Sequence, residues 1–261
     1  MKDIQQKHLN KVCLIIPYFG KWPDYFEIFL HSAQKQDLLD IILFSDIEYR
    51  NKLPSNIKII KFSLKDFNTL ASSKLNLKIE INNPYKLCDF KPLYGHIFED
   101  YLNNYDFWAF GDLDVIYGKL FKLLPQKWYL YDILTFREEW ISGSLTILKN
   151  NSYINKLYKK SKLYKQHLLS LENCAFDECG HIYHLLQGKK TKAILKYDKI
   201  ESFTWIIRNE ELNHNLKIFS KKIIKESIPK NDYIFFNNGS IIDSSNKEYI
   251  YYHYITEKKN I

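Results

Sequence analysis

In DFWAFGDLDVIYG (residues 106–118) four apolar residues run straight into Asp112-Leu113-Asp114, and the chain then returns to Val115 and Ile116. An apolar run of this kind predicts a buried strand that stops at two carboxylates. Residues i and i+2 of an extended chain point to the same side, so Asp112 and Asp114 share a face while Leu113 turns back to the core. Carboxylates in so apolar a neighbourhood are penalised and repel each other unless a cation neutralises them. A hard divalent ion would take oxygens from both and keep positions open for phosphate oxygens. Gly111 and Gly118 bracket the pair and leave the backbone free to turn. The plainer alternative, solvated loop aspartates or helix caps, sits badly with apolar residues on both sides.

Upstream of this stretch, short apolar β runs alternate with helical patterns, as in an α/β protein with a mostly parallel sheet flanked by helices. KVCLIIP, DIILFSD and NIKIIKF read as three strands, YFEIFLHSAQKQ as a helix between the first two, and DFWAFGD as a fourth strand. Ser63 is placed to cap LKDFNTLASSKLN, with Asp66 at the capping-box position. CDFKPLYGHIFEDYLNNY (residues 88–105) has the spacing of a further helix. In an open sheet of this kind, ligands bind in the crevice beyond the strands' carboxyl ends, where the acidic pair falls. Downstream, YDILTF and GSLTILKN read as strands, SYINKLYKKSKLYKQHLLSL (residues 152–171) and FDECGHIYHLLQG (residues 176–188) as helices, the latter stopped by Gly188. After AILKY the pattern changes to short β pieces ending in EYIYYHYIT. No repeat or linker divides the chain, so one domain over residues 1–261 is the simpler account, with a seam near residue 140 as the alternative.

The 261 residues are 46% hydrophobic and 16% aromatic, enough for a sizeable core. The polar start MKDIQQKHLN and the short apolar run behind it fit neither an export signal nor a membrane span. Four cysteines without a dense framework read as reduced thiols, in keeping with a cytoplasmic protein. Cys174, Cys179, His181 and His184 cluster, yet lack the paired Cys-x-x-Cys of a zinc knuckle. The net charge of +8 comes almost wholly from lysine, with only Arg50, Arg137 and Arg208 to make planar forks. That composition argues against nucleic acid and serves an anionic membrane face, an anionic acceptor or a phosphorylated small molecule equally well.

FGDLDVIYG resembles the Asp-x-Asp motif of GT-A type glycosyltransferases, and the wider pattern resembles a small bacterial family of that class associated with capsule and O-antigen synthesis. Six segments carry the resemblance in order around the motif: IIPYFG, Ser45-Asp46, PYKLCDFKPLYG, SGSLTILKN, FDECG and YYHY. It implies a GT-A-like Rossmann-type fold with a donor half of about residues 1–118 and an acceptor half of about residues 119–261, the latter with a smaller, irregular β-containing C-terminal part. The implied reaction moves a sugar from a nucleotide-sugar, most often a UDP-sugar, to a hydroxyl of a glycan or lipid-linked acceptor at the inner membrane face. The implied cofactor is Mn²⁺ or Mg²⁺ on Asp112 and Asp114, completed by His253. Pro17, Tyr18, Phe19, Gly20, Asp46, Lys86, Asp89, Lys91 and Leu113 would line the nucleotide-sugar, and Ser142, Gly143 and Ser144 the acceptor side. Asp177 and Glu178 would open a helix facing the cleft, one of them as general base or as the group that holds a substrate.

Each of these residues has an ordinary alternative. Asp89 can cap a helix, His253 between tyrosines can be structural, and acidic residues suit any helix start. Two rival functions stand beside sugar transfer. A haloacid dehalogenase-type phosphatase also carries an Asp-x-Asp at a strand end, though on its first strand and with a later acidic pair. A non-catalytic carbohydrate- or nucleotide-binding module could keep the fold without turnover.

Overall fold

A computed structural model describes residues 10–228 and 232–254. The expectations for the polar start and for the last two residues of EYIYYHYIT therefore lie outside the described residues, apart from Asn10. Seven strands form one mixed sheet: β1 (Val12–Pro17), β2 (Leu39–Ser45), β3 (Ile57–Lys61), β4 (Phe107–Gly111), β6 (Ile133–Thr135), β7 (Leu145–Lys149) and β8 (Ile218–Ser220), in the order β3-β2-β1-β4-β7-β6-β8. Only β7 runs against the others. Strands from both halves of the chain thus share one sheet.

Every residue of β1 and β4 is buried, because the sheet is covered on both faces. Alternation sorts the side chains: Cys13, Ile15, Trp108 and Phe110 enter the core on one face, and Val12, Leu14, Phe107 and Ala109 the core on the other. Gly95 is required where the chain passes Trp108, since a Cβ there would lie 2.4 Å from the indole. The capping box at Ser63 forms as its sequence predicts. The Ser63 hydroxyl accepts from Asp66 N at 3.1 Å, and the Asp66 carboxylate accepts from Ser63 N at 2.8 Å, opening the helix Leu64–Leu75.

Three expected long helices are broken. Over residues 88–105 the chain forms a 3-10 run, Pro84–Leu93, one α turn, Tyr94–Ile97, and a second 3-10 turn, Glu99–Tyr101. Pro92 has no N–H for an α-helical ladder, and in a 3-10 run positions i and i+3 eclipse. That geometry holds Lys86 Nζ 2.7 Å from Asp89 Oδ2. Over residues 152–171 the Glu201 carboxylate accepts from the N–H groups of Lys162 and Leu163 and from the Ser161 hydroxyl, ending one helical piece before the helix Tyr164–Leu169 begins. Over residues 176–188 only Tyr183–Leu186 is helical, so Asp177 and Glu178 sit in turns and open no helix. Gly188 ends that helix with φ +70, as expected.

The helix Phe203–Leu212 was masked in the sequence by an aromatic and β-branched run that reads as strand; Ser202 caps it, accepting from Trp205 N. The C-terminal part forms a small antiparallel sheet of β9 (Ile234–Asn237), β10 (Ser240–Asp243) and β11 (Glu248–Tyr249). Then β12 (Tyr251–His253) pairs with β5 (Val115–Tyr117), which directly follows the acidic motif. Among the described residues no helix is long and apolar enough to cross a membrane.

Candidate active site

A cavity of 710 Å³ opens at the carboxyl ends of β1 and β4. Its walls come from segments far apart in sequence, and backbone register brings them together. Gly111 of β4 pairs with Leu145 of β7, and Asp112 N donates to Ser144 O at 3.2 Å, which sets SGS beside the acidic motif. A Cβ on Gly111 would meet Ser144 O at 2.8 Å, so this seam needs glycine. His253 pairs with Val115, and Tyr254 N donates to Asp114 O at 3.2 Å, so the C-terminal histidine arrives beside the second aspartate.

Asp112, Asp114 and His253 each offer a ligand atom within 4.8 Å of the other two, the single such group among the described residues. Both imidazole nitrogens are buried without a hydrogen-bond partner, Nε2 lying 3.4 Å from Asp114 Oδ1 and Nδ1 3.9 Å from Glu226 Oε1. Two hard carboxylate oxygens and one imidazole nitrogen at this spacing suit a divalent ion such as Mn²⁺ or Mg²⁺. The Cys174, Cys179, His181 and His184 cluster makes no comparable group. Cys179 packs with Trp140, Leu186 and Ile194, and His181 faces Asn173 O at 2.9 Å.

Burial works against a charged His253, but Asp114 and Glu226, with Asp112 behind them, outweigh it and raise its pKa to about 9. The metal-free imidazole is therefore cationic at neutral pH, and its pairing stabilises the fold below pH 6.5 and is lost as pH rises through about 9. A metal must displace that proton. Mn²⁺ binding at pH 7.5 should release close to one proton, and affinity should climb with pH until about 9. Calorimetry in two buffers of different ionisation enthalpy reads this directly; equal heats in both would exclude His253 as a ligand.

The other charged groups form a linked set. Lys91 is buried, donates to Asp112 Oδ1 at 2.6 Å and to Gly143 O at 3.0 Å, and lies 3.6 Å from Asp177 Oδ2. Its pKa is raised: burial opposes the charge, and Asp112, Cys88 and Asp177 prevail. Asp177 is pushed well above the carboxylate range by burial, with Glu178, Asp89 and Asp112 adding to the rise and Lys91 opposing it. Glu178 is committed on both oxygens, accepting from Gly143 N at 2.9 Å and from Tyr183 OH at 2.6 Å. Gly143 lies under both acids: a Cβ there would be 3.0 Å from Asp177 Oδ2 and 3.0 Å from Glu178 Oε1. Gly143→Ala should cost about 1–3 kcal/mol, the scale of overpacking. Urea denaturation checks it, and an unchanged midpoint would mean that the acids are loosely held.

The cavity gathers Pro17, Tyr18, Phe19, Lys91, Leu113, the SGS turn, both acids and the three candidate metal ligands. Tyr18 stacks on Trp22 at 5.6 Å. Ser142, Ser144 and Tyr251 close a hydroxyl triangle with 2.9–3.0 Å edges, so the two serines brace the wall. Four expected contacts lie outside the lining. Asp46 accepts from Gly20 N at 3.3 Å, closing the loop after β1. Lys86 and Asp89 are buried against each other: Lys86 also donates to His167 O and Glu172 O, both at 2.6 Å, and Asp89 accepts from the N–H groups of Cys174 and Phe176, both at 2.8 Å. The pair pins the loop that leads into Asp177.

Sequence reading missed several wall residues. Arg137 lies over Trp140 at 4.4 Å and pairs with Glu226, which in turn faces His253. Tyr25, Tyr85, Cys88, Tyr94, Asn173 and Tyr183 also line the wall. An arginine is rare in this lysine-rich chain, which was the one available signal for Arg137. Glu226 offered none.

The sequence model of a family described as a family of unknown function (DUF6625) matches residues 14–261. No curated protein matches the chain in sequence. Among solved structures the chain is similar to the apo-form glycosyltransferase GlyE of Streptococcus pneumoniae TIGR4, with a TM-score of 0.33 and 14% identity over 69% of this chain. It spans 44% of that protein's length. It is also similar to the apo form of mouse xyloside xylosyltransferase 1, with a TM-score of 0.40 and 8% identity over 84% of this chain and 88% of that one.

Proposed function

This chain belongs to the DUF6625 family, described as being of unknown function, and from its site we propose that it is a metal-dependent glycosyltransferase. The donor is a nucleotide-sugar, by preference a UDP-sugar, and the acceptor a hydroxyl of a lipid-linked or growing glycan of a bacterial surface polysaccharide, at the cytoplasmic face of the membrane. One observation carries the reading: Asp112, Asp114 and His253 converge in a cavity that also holds Lys91 and Asp177. The GT-A-like division into a donor half, residues 1–118, and an acceptor half, residues 119–261, is part of the proposal.

Mn²⁺ or Mg²⁺ held by Asp112, Asp114 and His253 would offset the charge that develops on the departing diphosphate. Lys91 fixes Asp112 on one side and Asp177 on the other, so ligand and acid keep one geometry. Tyr18 offers its ring to the base. Asp177 takes the reacting role: it is buried, its pKa is raised, and its oxygens are not held by hydrogen bonds as Glu178's are. In an inverting displacement the ionised form of Asp177, favoured by Lys91, accepts the proton of the acceptor hydroxyl; in a retaining one Asp177 holds the donor sugar. Glu178, braced by Gly143 and Tyr183, positions it.

A thermal-shift panel of nucleotide-sugars with and without Mn²⁺ tests the reading. A true donor at a hundred times its Kd should stabilise the fold by about 2.7 kcal/mol, and only with the metal present. No shift with any nucleotide-sugar, or an equal shift without Mn²⁺, would contradict it.

A further inference from the structure

A strongly cationic surface lies beside the cavity mouth, and the sugar chemistry above does not use it. Residues 152–171 contain five lysines and no acidic residue, and Lys156, Lys159, Lys160, Lys162 and Lys165 are all exposed. Two nearby carboxylates are already engaged, while Glu172, next to Leu171, is exposed. Glu201 holds the backbone of Lys162 and Leu163, and Glu210 takes the Tyr153 hydroxyl and Lys160. The same segment exposes apolar side chains: Leu169 is 51% and Leu171 86% accessible. Lys165 and Leu169 stand four residues apart on the helix Tyr164–Leu169, so cation and leucine share a face.

This face is fixed to the cavity rim. Lys86 donates to His167 O and Glu172 O, and Tyr85, its neighbour in sequence, lines the cavity while remaining 67% exposed. Glu172 follows Leu171 directly, and Asn173 lines the cavity in turn.

We propose that residues 156–171 dock on an anionic membrane surface, with Leu169 and Leu171 entering the headgroup layer and Lys156, Lys159, Lys162 and Lys165 facing the lipid phosphates. Exposed leucines beside lysines whose long stems reach outward are the elements of an interfacial anchor. Lysine point charges suit a diffuse anionic surface, whereas the planar recognition of nucleic acid favours arginine, which this segment lacks. Docking would turn the cavity mouth toward a membrane-borne acceptor. That consequence rests on the sugar-transfer reading; the binding itself does not.

Flotation with vesicles of phosphatidylglycerol and phosphatidylcholine in equal parts, without donor or acceptor, tests the proposal and leaves sugar transfer to its own assay. Wild-type protein should float with these vesicles, stay behind with pure phosphatidylcholine, and be released by salt. Each lysine near such a surface contributes roughly a fivefold gain in partitioning, so Lys159→Ser/Lys162→Ser/Lys165→Ser should weaken binding about a hundredfold. Leu169→Ser/Leu171→Ser should weaken it at least about tenfold. If the leucine variant does not fold, the lysine variant decides. No flotation, flotation equal on both vesicle types, flotation untouched by the lysine substitutions, or capture by a single-stranded oligonucleotide in place of vesicles would each overturn it.

Discussion

Asp114→Asn is expected to abolish high-affinity Mn²⁺ binding and to lower sugar transfer by roughly 10²–10³-fold, the scale of losing one preorganised electrostatic partner at a reacting centre. The substitution keeps the shape of the side chain and removes its charge. His253 then loses the nearer of its two carboxylate neighbours, so its pKa should fall from about 9 toward the ordinary imidazole value. Asp112→Asn should act similarly on the metal, and it also takes from the buried Lys91 ammonium its nearest carboxylate, at 2.6 Å, so it should lower stability as well. Titration of Mn²⁺ by calorimetry, with circular dichroism as the fold control, separates loss of the metal from loss of structure. Unchanged affinity in Asp114→Asn would remove the aspartate from the ligand set.

Asp89→Ala should have the largest effect on stability. It strands the buried Lys86 ammonium and removes the acceptor from two backbone N–H groups at once. Breaking one side of a buried pair costs about 3–5 kcal/mol, which for a chain of this size lowers the melting temperature by roughly 10 °C. The alternative role for Asp89, a hydrogen bond to the donor sugar, predicts the opposite pattern: nearly unchanged melting and weakened donor binding. Measuring melting temperature and nucleotide-sugar affinity on the same variant distinguishes the two.

Much of the first half of the chain was legible in the sequence because its signals are local. Four strands showed as apolar runs between turn residues, the Ser63–Asp66 box marked a helix to the residue, and Asp112-Leu113-Asp114 stood out against the apolar strand before it. The second half was less legible because single carboxylates rewrite long stretches from a distance. Glu201 breaks a helix some forty residues upstream, and Asp89 holds the loop before Asp177 in turns. Neither carboxylate has a periodicity that announces its target. The site shows the same division. The three candidate metal ligands could be named from motif order, whereas Arg137, Glu226 and Tyr183 enter the wall only through pairings across the fold. Lys86 and Asp89 looked like ligand contacts because charged residues near a motif do; their burial assigns those charges to the scaffold.

The most direct measurement is release of free UDP from a panel of UDP-sugars by the purified protein, with and without Mn²⁺. Slow release is expected with at least one donor, dependent on the metal, faster with acceptor, and lost in Asp114→Asn while that variant remains folded. Metal-dependent nucleotide binding with no turnover on any donor, or release that survives both chelation and Asp114→Asn, would contradict it.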